Sequence, residues 1–290
     1  MGKRKSTSAA MDSDSDDSMS SSSPKILSFD FTYHDLHPST DYLGIKTLLK
    51  QLFDIDNLHF DLSALTDLIL GDGNREGGTT IKTDGEESDP YAFLSFVDVD
   101  RHKTNPALAS LLTYIAQKST PNTALTALLQ NPDMHVGLVL SERFRNMPVE
   151  TIPPLYRLLL DEIDGKPAYA HITHLLIPSR TFHLTAQEAS FHIQPSTALP
   201  PFSKRQKPTS SHTPSTQSEP ADGLYDFHPE DTLLKEYAVG YVDYTFDREG
   251  ERNEESFGLD TRGRVMVLER GRVEGLVGRM GEVYAPPTGA

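Results

Sequence analysis

The residues best able to do chemistry are a few glycine-rich turns, histidines and paired carboxylates, and their spacing argues against most reactions. Gly73–Thr80 reads GNREGGTT, with glycines spaced as in a phosphate-binding loop. Thr79 stands where such a loop places the lysine that pairs with the β- and γ-phosphates, so a hairpin loop is the better reading. Arg270–Gly275 reads RGRVEG at an expected strand-to-helix junction. There Val273 occupies the place where an acetyl-CoA-binding turn needs glycine, so that backbone amides can reach a pyrophosphate. His171 and His174 lie three apart on an expected strand, face opposite sides and cannot share a metal. His34 and His37 flank a turn without an acidic or cysteine partner at ligand spacing. Asp98 and Asp100 share one strand face, as an acid/base pair would. Arg101, His102 and Lys103 follow directly, which marks a solvated strand end. Ser141 sits in GLVLSER rather than a GxSxG elbow. No catalytic residue, metal or cofactor is assigned, and the expected protein is not an enzyme.

Charge points instead to partners. The 290 residues hold 42 Asp and Glu against 27 Lys and Arg, a net charge of −15. Residues 1–23 carry three basic and four acidic residues, and residues 195–222 three basic and two acidic. These two segments cancel, so the excess of carboxylates belongs to the remainder, the part expected to fold. Such a surface repels phosphate backbones and attracts basic proteins, so no direct nucleic-acid binding is expected. There is no cysteine, which excludes disulfides and Cys-ligated zinc. No apolar run approaches the ~20 residues of a membrane-spanning helix, and no apolar leader opens the chain. Two basic clusters, Lys3, Arg4 and Lys5, then Lys204, Arg205 and Lys207, are candidates for nuclear import. Gly2 and Ser6 also fit a myristoylation pattern. Ser13, Ser15 and Ser18, set among aspartates, are candidate phosphorylation sites.

Positioning these residues requires a domain, expected over 24–285, with a Ser-rich acidic tail at 1–23, a Pro/Ser/Thr-rich disordered insertion at 195–222 and a short tail at 286–290. Period-two alternation predicts strands over Lys25–His34 and Ala238–Asp247, and Thr79–Thr83 with Tyr91–Val99 is expected as a hairpin across the acidic turn. In Ala238–Asp247, Val239, Tyr241, Tyr244 and Phe246 are the expected packing residues. The apolar run His135–Ser141 predicts a central strand buried on both faces. His171–Pro178, Thr181–Ile193 and Arg264–Glu269 add further strands. Apolar residues at i, i+3, i+4 and i+7 predict helices over Asp41–Phe53 (capped by Ser39 or Thr40), Leu62–Leu70 (starting after Asp61), Pro106–Lys118 and Asn122–Gln130. Three more are predicted over Pro154–Ile163, Pro229–Tyr237 and Arg272–Tyr284. Helices interleaved with strands imply α/β architecture, a single mixed sheet flanked by helices.

Several blocks resemble the BCCIP family. They are DYLGIKTLLKQLF (Asp41–Phe53), LTDLIL (Leu65–Leu70), GTTIK (Gly78–Lys82), PPLYRLLLDEI (Pro153–Ile163) and EDTLLKEYAVGYVDYTF (Glu230–Phe246). The most specific is VGLVLSERFRNMP (Val136–Pro148). The resemblance implies an acetyltransferase-like (GNAT-like) fold without a working acetyl-CoA site. It implies a non-enzymatic nuclear protein that shuttles to the cytoplasm and acts as carrier and chaperone. Implied partners are a basic large-subunit ribosomal protein, a phosphatidylinositol phosphate kinase and nuclear transport receptors. Animal relatives imply a scaffold for a cyclin-dependent-kinase inhibitor and a recombination mediator instead. Within VGLVLSERFRNMP, Glu142, Arg143, Phe144, Arg145, Asn146 and Met147 are expected in a loop leaving the central strand. As strand-end loops often carry function, Glu142, Arg143, Phe144, Asn146 and Met147 are candidate partner contacts. Charge adds Asp84, Glu86 and Glu87 in the stretch Asp84–Asp89, Asp98 and Asp100, and the stretch Glu249–Glu255.

Overall fold

Eight strands form one sheet in the computed structural model, which describes residues 30–71, 77–184, 223–247 and 260–285. The expected tails, the insertion at 195–222, both basic clusters and the stretch Glu249–Glu255 lie outside the described residues. All described elements belong to one unit beginning at Phe31. The strands are β1 (Thr32–Asp35), β2 (Gly78–Lys82), β3 (Ala92–Asp98), β4 (Val136–Arg143), β5 (His174–His183), β6 (Leu224–Asp226), β7 (Ala238–Thr245) and β8 (Asp260–Glu269). The helices are α1 (Tyr42–Phe53), α2 (Leu62–Leu70), α3 (Pro106–Ser119), α4 (Thr123–Leu129), α5 (Ile152–Gly165), α6 (Asp231–Tyr237) and α7 (Val273–Val283). Among them none is long and apolar enough to cross a membrane.

The strand order is β1-β2-β3-β4-β5-β8-β7. Every pairing is antiparallel except β4 with β5. The sheet is covered on both faces, and alternation in the central strands sorts their side chains. Phe93, Val97, Leu138, Leu140, Val265 and Val267 join a core under α1–α4. Leu94, Phe96, Val139, Met266 and Leu268 join a second core under α5–α7. Near-continuous apolar strands with both faces covered are what such layering requires. Gly137 allows one close approach, since a Cβ there would lie 2.1 Å from the Phe96 ring.

The parallel pair is short and shapes the site. β4 pairs with β5 only over Val136↔His174 to Leu138↔Leu176. Beyond that the strands part, and β6 takes up the free side of β5 at Thr181–His183. The expected strands His171–Pro178 and Thr181–Ile193 are therefore one strand over its described length. Pro178 sits where β4 has already left, a position in which a strand proline is tolerated.

Ser39 and Thr40 do not cap α1; both hydroxyls bond to His37 Nδ1, and the residue preceding the helix is Asp41. Val239 and Tyr241 are exposed, and Val242 is buried with Tyr244 and Phe246. A register shift between Ala238 and Gly240 displaces the alternation there. The outer edge of β7 meets side chains of the α3–α4 corner: Lys118 Nζ donates to Thr245 O at 3.0 Å and Asn122 Nδ2 to Tyr241 O at 3.0 Å.

Candidate functional site

The wedge between β4 and β5 is filled by charge. Glu142 and Arg143 end β4, Ser179 and Arg180 lie on β5, and the segment after β6 inserts His228, Glu230 and Asp231. Glu142, only 1% exposed, accepts from Arg180 Nε and pairs with His228 Nε2, each at 2.8 Å. Arg143 grips Glu230 with two hydrogen bonds, Nε to Oε1 at 3.2 Å and Nη2 to Oε2 at 2.9 Å. Its Nη1 donates to Met147 O at 3.0 Å, which fixes the chain leaving β4. Ser179 Oγ donates to Asp231 Oδ2 at 2.5 Å. On β8, Arg264 is 2% exposed and bonds to Asp243 (2.6 Å) and Asp226. The Arg180 guanidinium lies 3.7 Å from the centre of the Phe227 ring. Buried ions persist when each has a counter-ion, and here Glu142, Arg143, Arg180 and Arg264 all do, although Arg180 Nη2 has no hydrogen-bond partner among the described residues. The remaining cavity is about 20 Å³, room for one water.

Burial and neighbouring charges set the protonation of this network. Burial pushes the Glu142 carboxyl up, but His228 and Arg180 outweigh it and hold it below its ordinary value. Burial pushes His228 down, and Glu142, Glu230 and Asp231 outweigh that and raise it. Burial, reinforced by Glu230, pushes Asp231 up to about 7. The signs define a window. A raised Asp231 stabilises the folded state at low pH, and that contribution is lost as pH rises from the ordinary aspartate value to about 7; a raised His228 keeps its contribution up to the ordinary histidine value and loses it above that. A lowered Glu142 contributes above the unfolded glutamate value and is lost on acidification below it. These contributions are together greatest in the ordinary carboxylate range, about pH 4–5, and decline toward neutral pH. Asp231→Asn mimics the neutral carboxyl, so its melting temperature should fall less between pH 5 and pH 7.5 than that of the unmodified chain. An equal fall in both would show that Asp231 does not titrate there.

This arrangement corrects several expectations about contact residues. Glu142 and Arg143 are not in a loop. They belong to β4 and are buried, so they hold the interior together and cannot touch a partner. Met147 is buried as well. Of that block, Phe144, Arg145 and Asn146 are at the surface, with Phe144 edge-on against Tyr91. Asp98 is buried and accepts from the amides of Asp100 and Arg101, so it is no contact residue either. Asp100 is exposed and pairs with His135 at 2.5 Å. His171 precedes β5 in a turn rather than lying on the strand, and its Nε2 is 3.2 Å from Asp98 Oδ2. Arg180, His228, Asp226 and Arg264 were not singled out from the sequence. The signal was available: an arginine at the centre of an otherwise apolar strand is rarely buried without a counter-ion.

The expected acidic contacts Asp84, Glu86 and Glu87 are borne at the surface by the turn joining β2 to β3, together with Asp89. Gly85 turns the chain there with a φ of +88°. Among the described residues none of the four carboxylates forms an ion pair. Beneath the turn, Lys82 is fully buried; its Nζ lies 2.6 Å from Asp41 Oδ1 and donates to Glu86 O at 2.5 Å.

Protein bcp1 of Aspergillus fumigatus is 34% identical over 277 residues, covering 90% of this chain and 89% of that protein. Protein BCP1 of Yarrowia lipolytica is 33% identical over 275 residues (91% and 84%). Protein bcp1 of Schizosaccharomyces pombe is 32% identical over 274 residues (89% and 91%). The crystal structure of BCP1 from Saccharomyces cerevisiae superposes with a TM-score of 0.61 at 25% identity, covering 91% of this chain and 92% of that one. The family model described as BCCIP matches residues 26–234, a span that contains β4, the charged wedge and the acidic turn. The chain belongs to the BCCIP family.

Proposed function

We propose that this chain is a non-enzymatic carrier and chaperone that covers the positively charged face of a basic large-subunit ribosomal protein. The observation that carries the reading is the acidic turn, four carboxylates exposed together with no counter-ion among the described residues. The interior adds to it. Lys82, Arg143, Arg180 and Arg264 are turned inward and neutralised by the buried side chains of Asp41, Glu230, Glu142 and Asp226, so they do not offset the surface charge. An anionic surface of this kind speeds encounter with a cationic partner and selects against nucleic acid. In this reading the protein works in the nucleus and shuttles to the cytoplasm, addressed by the basic clusters at 3–5 and 204–207. A phosphatidylinositol phosphate kinase and transport receptors are further partners.

The test neutralises the turn: Asp84→Asn, Glu86→Gln, Glu87→Gln and Asp89→Asn in one chain. With a lysine- and arginine-rich large-subunit ribosomal protein as titrant, the association rate should fall about tenfold and its salt dependence should flatten. Unchanged kinetics would remove the turn from the interface. Binding that persists unaltered in 1 M salt would remove the electrostatic reading itself.

We read the sheet as an acetyltransferase-like one whose acyl-CoA cleft is closed. Support comes from the parting of β4 and β5, where a cofactor arm could lie between strands, and from the charges that occupy the space. A calorimetric titration with acetyl-CoA should be flat.

A further inference from the structure

We infer that Asp98, Asp100, His135 and His171 form a binding site for a Zn²⁺-type transition-metal ion at the meeting point of β3, β4 and β5. The four donors come from three segments: the end of β3, the residue before β4 and the turn before β5. Asp98 Oδ2 and His171 Nε2 are 3.2 Å apart, and Asp100 Oδ2 and His135 Nδ1 2.5 Å. Donor atoms of Asp98, Asp100 and His171 all lie within 4.8 Å of one another. The two imidazole centres are 5.6 Å apart. Tetrahedral Zn²⁺, with bonds of about 2.0–2.2 Å, sets its donors roughly 3.3–3.5 Å apart, so small rotations bring Asp98, Asp100 and His171 to one ion, while His135, outside that close group and paired with Asp100, must turn its ring toward them to serve as the fourth ligand.

The scaffold is already fixed. The Asp98 carboxylate is buried, and its Oδ1 accepts the amides of Asp100 and Arg101 at 3.0 and 3.2 Å, which aims Oδ2 at His171. Outer hydrogen bonds of this kind are how metal sites orient their ligands. The Val99 amide donates to Val136 O at 3.0 Å, tying the end of β3 to β4. The His135 amide donates to Thr173 Oγ1, and the Thr173 and His174 amides donate to His135 O. Thus the backbones carrying His135 and His171 are joined. Asp100, His135 and His171 remain more than one-third exposed, which gives an ion access from solvent.

Charge and donor type sharpen the assignment. Two imidazoles with two carboxylates suit Zn²⁺, Co²⁺ or Ni²⁺ rather than Mg²⁺ or Ca²⁺, which prefer oxygen donors alone. Among the described residues no Lys or Arg forms an ion pair with Asp98 or Asp100. The contrast is Asp56, His59 and Asp247, also close enough to share an ion. There Lys118 Nζ lies 3.2 Å from Asp56 and 2.7 Å from Asp247, so an ammonium already occupies the place of a cation.

The experiment uses the full chain stripped of metal with a chelator and titrated with ZnCl₂ by calorimetry, with CoCl₂ as an optical probe. Saturation at one Zn²⁺ per chain is expected, with the intense visible band of four-coordinate Co²⁺. Affinity should fall at least tenfold in His135→Gln and in His171→Gln, since losing a direct ligand costs no less than losing an outer-shell partner. His59→Gln should bind as the unmodified chain does. Both site histidines are partly exposed, so circular dichroism and metal-free melting should show the variants folded. Absence of saturable uptake, or uptake unaffected by both histidine substitutions, overturns the assignment.

Discussion

Glu142→Ala is expected to destabilise the fold by about 3–5 kcal/mol, because it strands Arg180 and His228 in the interior without their shared counter-ion. For a domain of this size that is a fall in melting temperature on the order of 10 °C. The larger part of the loss comes from the uncompensated charges rather than from the missing contacts. A second substitution should therefore restore much of it: Glu142→Ala with Arg180→Met removes one stranded cation and fills its space with an apolar chain. A double-mutant cycle measured by denaturant unfolding checks this. Additive losses would show that Glu142 and Arg180 do not depend on each other, contrary to their 2.8 Å separation.

Lys82→Met should be comparably damaging, and its effect should reach the surface. Asp41 is fully buried, and Lys82 Nζ is its counter-ion. Removing the ammonium leaves an unpaired carboxylate at the start of α1, again about 3–5 kcal/mol. The same ammonium holds the acidic turn through Glu86 O. Amide hydrogen exchange at residues 84–89 should therefore accelerate more than exchange in α5 on the other face. Pairing Lys82→Met with Asp41→Asn should recover stability but not protection of the turn. If protection returned as well, the tether to Glu86 would be dispensable.

How much could be read from the residues depends on how far apart the deciding partners lie. α2 was legible throughout: Leu62–Leu70 is the predicted helix, and the Asp61 side chain accepts the Ala64 amide as a cap should. β4 was legible because two covered faces demand uninterrupted apolar residues, and β3 because an acidic turn separates it from β2 as a hairpin would. The mixed sheet flanked by helices followed from these local signals. The ionic wedge did not, since Glu142 meets His228 at a separation of 86 residues and Arg143 meets Glu230 at 87. No local pattern encodes such a pairing, so Glu142 and Arg143 read as loop charges. The His171–Asp98 contact was hidden for a related reason: β5 begins later than its apolar run suggests, which leaves His171 in a turn.

The β7 margin of the sheet has a further consequence. Its outward carbonyls at Tyr241 and Thr245 are already engaged by Asn122 and Lys118. Occupied acceptors give an incoming extended peptide little to zip onto, so stacking of one copy on another is discouraged at high concentration. They also constrain recognition. Any protein meeting this margin would be recognised through its side chains rather than by lending its backbone as a ninth strand.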